Sequence, residues 1–414
     1  MISNLYPPVA VGGYETRCAH TVEWLGRRHE TLVLTSRRGR RGLPKDPRVS
    51  RRLAFLPQNA WGALRAPWAS LQAARIVRRT LSVFKPELVF VWNASQIPRA
   101  VVWIAQDSGV PVAFSLADPW LGSFVEGDQF LRHLAPGDRG LRRVWAALVR
   151  LVNRLAPLRL GLSGSRPAAI VWNSKALREL TAVPSQIVPV LERVIHPASR
   201  NEALFEALRR SPAATPTVAF VGRIEWEKAP DVACRAVALM RDRHGVDARL
   251  VLVGSGADGE RRALRALVRR LAIEDRVELT GPLAPRGVAG VLARAHALVV
   301  PSRWQEPFGL VCLEAALARV PVVASFSGGM PEMLVPEREA LFFPIDDAEA
   351  CAAALVRTIQ DAQATADRTE RAFTRVQGYS LERYRKAYDV FVDDAVHACL
   401  QTRARADQEA RVEP

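Results

Sequence analysis

The second half of the chain alternates short apolar runs with longer stretches in which apolar residues recur at helical spacing. Each apolar run is bounded by glycine, proline or polar residues. Short buried strands that alternate with helices are typical of a parallel sheet with crossover helices. We predict strands here at residues 217–222, 248–254, 276–281, 296–302, 321–326 and 340–344.

The first half repeats this alternation less regularly. Strand candidates lie at residues 31–36, 87–93, 110–118 and 168–174. Only Met1 to Leu5 remain for a first strand before a glycine turn, so we expect the natural start of the chain to lie upstream. The pattern predicts a second α/β domain built like the first.

The length of the chain sets the domain organisation. A chain of 414 residues exceeds the usual size of one hydrophobic core and predicts two domains. A proline- and alanine-rich stretch at 212–216 resembles a linker. We predict an N-terminal domain at 1–205, a C-terminal domain at 206–379, a helix at 380–400 that could pack back on the first domain, and a disordered tail at 401–414.

Composition and termini indicate the compartment. No window reaches the length of a membrane span, and the start shows no charged stretch followed by an apolar one, as a secretory signal would. The five cysteines are far apart and lack C-x-x-C spacing, which suits a reducing compartment. We therefore expect the cytoplasm, with the inner face of the membrane as an option.

Positive charge is concentrated in the first half of the chain. The formal net charge is +16, and residues 1–200 contain 29 Lys and Arg against 12 Asp and Glu, whereas the remainder is nearly neutral. Such a basic half implies an acidic partner: a phosphorylated acceptor, an anionic membrane surface or nucleic acid.

Residues 301–320 carry two carboxylates at the start of a predicted helix. Glu306 lies in the loop after a strand, residues 308–319 have the apolar spacing of a buried helix, and Glu314 would lie about two turns inside it. Free backbone N–H groups at a helix start favour an anion such as a diphosphate. Here those groups belong to Phe308, Gly309, Leu310 and Val311.

Polar signatures follow several of the predicted strands at their carboxyl ends, where open α/β sheets bind ligands. Gly222, Arg223 and Lys228 follow one strand, and Gly254 follows the next. Two cations converging there would neutralise a diphosphate as charge develops on it. In the first half, Gly12-Gly13 precedes an amphipathic helix and could offer backbone donors to the same group.

These motifs, in this order, resemble glycosyltransferase family 4, the retaining enzymes of GT-B fold. The resemblance covers nearly the whole chain and is strongest from 217 to 345. It implies an α/β protein with two Rossmann-like domains whose parallel sheets face each other across a cleft. It also implies a hexosyl transfer from a nucleotide sugar, bound by the second domain, to an acceptor bound by the basic first domain.

The resemblance assigns roles to individual residues. Arg223 and Lys228 would neutralise the leaving diphosphate. Glu306 would lie near the donor sugar and the leaving phosphate, and Glu314 would hold the ribose hydroxyls. No cofactor and no metal is implied, since the chain contains no D-x-D pair and no histidines at metal-ligand spacing.

Two positions depart from the family pattern. Lys228 is followed by Ala229 where relatives usually have glycine, so the turn could differ. Ala117-Asp118 stands where many relatives carry His-Asp, and alanine cannot hydrogen-bond through its side chain. Asp118 either takes a related role, toward the donor sugar or as a base toward the acceptor, or caps the following turn.

The segment 142–160 has the pattern of a basic amphipathic helix. Its apolar residues fall on one face and its arginines on the other; the apolar set is Val144, Trp145, Leu148, Leu151, Val152 and Leu155. Such a helix can lie on an anionic membrane and give access to a lipid-linked acceptor. An ordinary domain helix with a solvated arginine face fits the pattern as well.

Two other functions share much of this pattern. A sugar-nucleotide epimerase on the same fold would act without an acceptor, and a catalytically inactive protein would bind the nucleotide without turnover. Nucleic acid is a weaker candidate partner, because the basic half lacks a recognisable reading motif. The base, the sugar and the acceptor, whether glycan, lipid-linked or small molecule, are not specified by these motifs.

Overall fold

The computed structural model describes residues 1–9, 12–39, 43, 46–134, 141–155 and 166–412. The chain divides into two compact units. The first consists of residues 1–173, 177–195 and the chain from Arg385 onward, and the second of residues 174–176 and 196–384. Each unit is an α/β domain with its own parallel sheet.

The first unit contains a seven-stranded sheet in the order β3-β2-β1-β4-β5-β6-β7, and every neighbouring pair is parallel. Its inner strands are largely buried, as a sheet covered by helices requires, and β4 and β5 are mostly apolar. The strands are β1 (Ile2–Ser3), β2 (Val33–Ser36), β3 (Val49–Leu53), β4 (Val89–Asn93), β5 (Val112–Leu116), β6 (Arg166–Trp172) and β7 (Ile187–Val194).

The helices of the first unit cover this sheet. They are α1 (Gly13–Leu25), α2 (Ala60–Phe84), α3 (Ala100–Asp107), α4 (Leu141–Leu155), α5 (Lys175–Leu180) and the last helix, α14 (Leu381–Val412). The first residues of α5 and of α14 belong to the second unit. Local signals delimit α2: the Asn59 side chain accepts the Gly62 N–H at 3.0 Å, and Lys85 ends the helix in a left-handed conformation before Pro86. The core is rich in large aromatic residues, including Trp92, Trp103 and Trp172.

The second unit contains a six-stranded parallel sheet in the order β10-β9-β8-β11-β12-β13. Its strands are β8 (Thr217–Val221), β9 (Arg249–Val253), β10 (Val277–Gly281), β11 (Ala297–Val300), β12 (Val322–Ser325) and β13 (Leu341–Phe343). Its helices are α6 (Glu202–Glu206), α7 (Pro230–His244), α8 (Asp258–Arg270), α9 (Pro285–Arg294), α10 (Leu310–Leu317), α11 (Met330–Met333), α12 (Ala348–Gln360) and α13 (Ala362–Val376).

The domain boundary differs from the predicted one. The structure divides the chain after Ile195, whereas the predicted boundary lay after residue 205. The intervening residues belong to the second unit because α6 packs there: Phe205 is buried in the core that contains α10. The proline-rich stretch at 212–216 is the lead into β8.

The C-terminal region also differs. The tail predicted to be disordered from residue 401 is helical as far as Val412, as the continuation of α14. From Arg385 onward this helix belongs to the first unit, where Tyr388 stacks on Trp92 and Asp389 accepts a hydrogen bond from the Trp24 indole at 3.0 Å. The tail is polar, so its composition predicts disorder. It is helical because it continues α14, whose earlier part is held by packing, and extending an existing helix costs less than starting one.

Candidate functional site

Two strands of the second unit end side by side where the strand order reverses. β8 and β11 are neighbours in the sheet, although β9 and β10 lie between them in the sequence. Ligands of open α/β sheets bind at the carboxyl ends of strands at such a reversal. The segments that leave these two strands, 222–229 and 301–309, carry most of the predicted donor-site residues.

The Glu306 carboxylate is buried at this edge and has two donors. It forms an ion pair with the Lys228 ammonium group, and the Ser302 hydroxyl donates to the same oxygen at 2.5 Å. Only 7% of Glu306 is exposed, and a carboxylate buried without such partners would be costly. The structure thus brings two of the predicted catalytic residues into contact.

The loop around Glu306 is held by the turn that follows β12. The Gly329 N–H donates to the Glu306 carbonyl oxygen at 2.7 Å, and the Glu306 N–H donates to the Ser327 hydroxyl at 3.3 Å. Gly328 has a φ of +53°, and a Cβ on it would lie 2.1 Å from the Glu306 carbonyl oxygen. This approach requires glycine, so the turn fixes the position of the carboxylate.

The helix after Glu306 starts later than predicted. Its first residue is Leu310, not Phe308, because Gly309 takes a left-handed conformation with a φ of +84°. Phe308 lies before the helix, buried with its ring centroid 5.4 Å from those of His196 and Tyr379. The N–H groups of Leu310 and Val311 are therefore the first two of the helix, and such groups have no acceptor within it.

Glu314 lies about one turn inside α10 instead of two. Its carboxylate accepts a hydrogen bond from the Ser199 hydroxyl at 2.8 Å. Burial raises the pKa of Glu314, and the Ser199 hydrogen bond opposes that rise. The residue is half-buried, so part of it remains accessible to a ligand.

The two predicted cations differ in environment. Arg223 is exposed and forms an ion pair with Glu225, whereas Lys228 is half-buried against Glu306. Ala229 adopts a left-handed conformation with a φ of 52°, so the turn after Lys228 has a backbone shape that normally favours glycine. An alanine in this region costs about 1 kcal/mol.

The two glycines after β8 and β9 are packed against each other. The Gly222 N–H donates to the Val253 carbonyl at 2.9 Å, and a Cβ on Gly254 would lie 1.7 Å from the Gly222 carbonyl oxygen. Gly254 has a φ of +154°, which other residues rarely adopt. This contact therefore shapes the segment that carries Arg223.

In the first unit, the predicted glycine turn opens α1. Gly13 is the first residue of the helix, and the Gly12 N–H donates to the Glu15 carboxylate at 3.1 Å. One of the two predicted backbone donors is thus engaged within the protein. No described atom lies within 4 Å of a Cβ built on Gly12.

Asp118 caps the turn that follows β5. Its carboxylate accepts the Trp120 N–H at 3.1 Å, and burial raises its pKa to about 6. The neighbouring Tyr14 hydroxyl donates to the Ser115 carbonyl at 2.5 Å and accepts the Ala117 N–H at 3.2 Å. The capping role left open by the sequence is present, and Tyr14 joins the start of α1 to the end of β5.

Sequence reasoning missed a further carboxylate in the second unit. Glu332 accepts hydrogen bonds from the Lys175 and Ala176 N–H groups at 2.9 and 2.5 Å, and its Oε2 lies 3.5 Å from Nε2 of His196. Burial lowers the pKa of His196. Ser199, the partner of Glu314, was missed as well, because no local pattern links residues 115 positions apart.

Two further features bear on the predictions. Among the described residues, no group of three or more His, Cys, Asp and Glu side chains is close enough together to hold a metal ion. No helix in the described part of the chain combines the length and apolar content that crossing a bilayer would require.

Comparisons with known proteins agree with this architecture. A family model described as "Glycosyl transferase 4-like domain" matches residues 12–197, and one described as "Glycosyl transferases group 1" matches residues 215–361. A D-inositol 3-phosphate glycosyltransferase of Saccharomonospora viridis is 36% identical over 209 residues, which are 49% of this chain and 47% of that protein. The chain thus spans about half the length of this relative.

Solved structures match over nearly the full length. Sucrose-phosphate synthase from Thermosynechococcus elongatus aligns with a TM-score of 0.69 at 19% identity, over 96% of this chain and 98% of its own. HepE of Anabaena, solved in complex with UDP-glucose, aligns with a TM-score of 0.63 at 18% identity, over 95% of this chain and 98% of its own. At this identity the likeness shows the fold. With the two family models, it shows that the chain belongs to the family 4 glycosyltransferases of GT-B fold.

Proposed function

We propose that the protein transfers a sugar from a nucleoside-diphosphate sugar to an acceptor hydroxyl, with retention of anomeric configuration and without a metal ion. The observation that carries the proposal is the ion pair of the half-buried Lys228 with the buried Glu306 carboxylate at the reversal point of the second sheet. Glu306 lies in the loop that leads into α10, where an anionic group of the donor would meet backbone N–H groups.

The residues of this edge suit a diphosphate. Lys228 and Arg223 supply positive charge, and the Leu310 and Val311 N–H groups supply donors that the helix itself does not use. Charge placed in advance in this way stabilises the phosphate most strongly as the bond to the sugar breaks. We assign Arg223 and Lys228 to the leaving diphosphate and Glu306 to the donor sugar and the orientation of Lys228.

Glu314 suits the ribose of the donor. An ionised carboxylate can accept hydrogen bonds from both hydroxyls of a ribose diol. Ser199 holds the Glu314 carboxylate at 2.8 Å and favours its ionised form, against the effect of burial. We assign Glu314 to the ribose and Ser199 to the positioning of Glu314.

The reaction we propose is a front-face displacement. The bond between the acceptor oxygen and the anomeric carbon forms on the face from which the phosphate oxygen leaves, and the acceptor proton passes to that oxygen. The products are the glycosylated acceptor with the anomeric configuration of the donor and a nucleoside diphosphate. Asp118, whose pKa is raised to about 6, is assigned to the acceptor side as a second candidate proton acceptor.

Different observations indicate the donor class and the acceptor class. A uridine diphosphate sugar is the donor to test first, because a protein with this fold, HepE of Anabaena, was solved with UDP-glucose. The basic first half suits an acceptor that carries negative charge, whether a glycan, a small phosphorylated molecule or a lipid-linked sugar. A lipid-linked acceptor would require the first unit to reach a membrane surface.

Calorimetric titration with UDP, GDP and ADP in EDTA tests the proposal. We expect one nucleotide to bind to the wild-type chain, and Glu314→Ala to weaken that binding by a factor of about 10 or more, since hydrogen bonds to a charged group are lost. Glu370→Ala is the matched control, because it removes an exposed carboxylate of the same unit.

Turnover completes the test. Sugar derivatives of the nucleotide that binds are incubated in EDTA with candidate acceptors: glycans, small phosphorylated molecules and lipid-linked sugars. The anomeric configuration of the product is then determined by NMR. Conversion of the nucleotide sugar without an acceptor would indicate an epimerase instead. Nucleotide binding without turnover of any donor would indicate a binding protein.

A further inference from the structure

A row of large apolar side chains lies exposed on α2. Trp61 and Trp68 are each 73% exposed, and Leu64 lies between them on the same face. The spacing of three and four residues places all three side chains on one face of the helix. Two exposed tryptophans next to a leucine are unusual for a protein surface and mark an interaction site.

A second apolar row lies exposed on α4. Val144 is 71% exposed, and Leu148 and Leu151 continue the row. The helix buries a different face, through Ala146 and Val149. The predicted apolar face is therefore divided: Trp145 and Val152 pack against the core, whereas the three residues of the row face outward. Of that predicted segment, residues 156–160 lie outside the described residues.

One segment of the first unit contacts both helices. The Gln129 amide donates to the Pro57 carbonyl at 3.0 Å, directly before α2, and Arg150 of α4 donates to the His133 carbonyl at 3.5 Å. The start of α2 also lies near the carboxyl edge of the first sheet, since Gln58 donates to the Ser95 carbonyl just after β4. The two rows therefore belong to the same region of the unit, on the side where Asp118 follows β5.

Exposed arginines flank both rows. Arg65 lies beside the tryptophans, and the arginines farther along α2 and those of α4 are also exposed; they are Arg75, Arg79, Arg143 and Arg154. Within the described part of the chain, none of these five forms an ion pair with a carboxylate. Their charge is thus available to an anionic partner, in the half of the chain that holds the whole positive excess.

We propose that these two rows form a membrane-docking surface, defined by Trp61, Leu64, Trp68, Val144, Leu148 and Leu151, which inserts into the interface of an anionic lipid bilayer. Tryptophan favours the headgroup region, and arginines beside an apolar row attract anionic headgroups. A second copy of the chain fits less well, because docking would bring like-charged arginines together. Docking through this surface would place the acceptor side of the enzyme at a membrane.

Flotation of the full-length protein with lipid vesicles tests this surface. We expect binding to vesicles of phosphatidylcholine with phosphatidylglycerol, and at least tenfold weaker binding to phosphatidylcholine alone. The variant Trp61→Ser/Trp68→Ser should weaken binding by a factor of about 10 or more, and Leu148→Ser/Leu151→Ser should act in the same direction. Val83→Ser is the control, since Val83 is 76% exposed at the far end of α2 and should leave binding unchanged.

Charge variants separate the role of the arginines from net charge. Replacing Arg65, Arg75 and Arg79 by glutamine should weaken binding to the anionic vesicles about fivefold for each arginine that lies at the membrane surface. The matched control replaces Arg262, Arg265 and Arg269 of α8, which are exposed in the second unit, and should have a much smaller effect.

Three results would overturn the inference. The first is that the wild-type chain does not bind anionic vesicles, and the second is that the serine variants bind them as well as the wild type does. The third is that sedimentation velocity shows a lipid-free dimer that Trp61→Ser/Trp68→Ser dissociates. Nucleotide titration of the same variants keeps this test apart from the proposed function: they should bind the nucleotide as the wild type does, so loss of vesicle binding alone concerns the docking surface.

Discussion

The Lys228 ammonium group and the Glu306 carboxylate form an ion pair at the carboxyl ends of β8 and β11. The carboxylate is buried, whereas the ammonium group is partly accessible. Lys228 can therefore contact an incoming anion while it remains paired with Glu306. A diphosphate would therefore share Lys228 with Glu306. In the proposed reaction, the pair would hold the cation in place before the donor arrives, which lowers the cost of ordering it.

Breaking this pair should affect stability and turnover separately. Lys228→Met leaves the buried Glu306 carboxylate with the Ser302 hydroxyl as its one remaining side-chain donor among the described residues. We therefore expect a loss of about 2 kcal/mol in unfolding free energy. We also expect turnover to fall about 100-fold, as when one preorganised charge is removed from a reaction site. Urea denaturation and donor turnover measure the two effects.

The double variant Lys228→Met/Glu306→Gln provides the control. It removes both charges, so most of the lost stability should return while turnover stays low. If turnover recovered together with stability, Lys228 would be a structural residue and not a ligand of the leaving group.

Nucleotide binding should depend on pH through Glu314. The pKa of Glu314 is raised by burial and held down by Ser199, so Ser199→Ala should raise it further. Because the role proposed for the ionised carboxylate is to accept the ribose hydrogen bonds, the variant should lose affinity at a higher pH than the wild type as pH falls. Calorimetric titrations with the nucleotide between about pH 5 and about pH 8 should show the midpoint move upward. If the pH profile of nucleotide binding did not change, Glu314 would not be a contact of the nucleotide.

Asp118 should make stability decrease as pH rises. Its pKa is about 6 in the folded protein because of burial, and 3.8 is the ordinary value. The folded state therefore holds the proton more tightly, and the contribution to stability is present below about pH 4 and lost as pH rises through about 6. Asp118→Asn keeps the capping acceptor but does not titrate. Between about pH 4 and about pH 7, the free energy of unfolding of the variant should rise by about 2 kcal/mol relative to that of the wild type. Urea denaturation at both pH values measures this, and a constant difference would contradict it.

Gly254→Ala should destabilise the second unit strongly. The new Cβ would lie 1.7 Å from the Gly222 carbonyl oxygen, at a φ of +154°. Backbone must move to relieve this contact, so we expect a loss of at least about 3 kcal/mol. Gly290→Ala is the matched control, because Gly290 lies in α9 with no described atom near its Cβ position, and alanine should stabilise that helix by about 0.5 kcal/mol. Thermal denaturation of the two variants would show opposite shifts.

Most inner strands of the two sheets could be predicted because they contain a continuous apolar run, as in β4 and β11. The strands β3 and β7 were not predicted. They are edge strands: β3 has the sequence VSRRL, and β7 contains Pro189, so neither carries the apolar signal of an inner strand. The fold class followed from the alternation, but the edges of the first sheet did not.

The candidate site shows the same division between local and distant information. Glu306 and Lys228 could be identified because each follows a strand end, and strand ends meet at one edge of a parallel sheet. The first residue of α10 could not be predicted. Phe308 is buried before the helix, and apolar spacing does not distinguish such an aromatic residue from one in the first turn of the helix. The link between Ser199 and Glu314 exists only after folding.

The last helix makes the first unit discontinuous in sequence. Tyr388 and Phe391 of α14 cover Phe90 and Trp92 of β4, although about 190 residues of the second unit separate them from the rest of the first unit. A fragment that stops near residue 195 would leave this aromatic surface without its cover. The first unit is therefore not a separable module, and an attempt to produce it alone would have to supply the final helix through an artificial junction or as a second peptide.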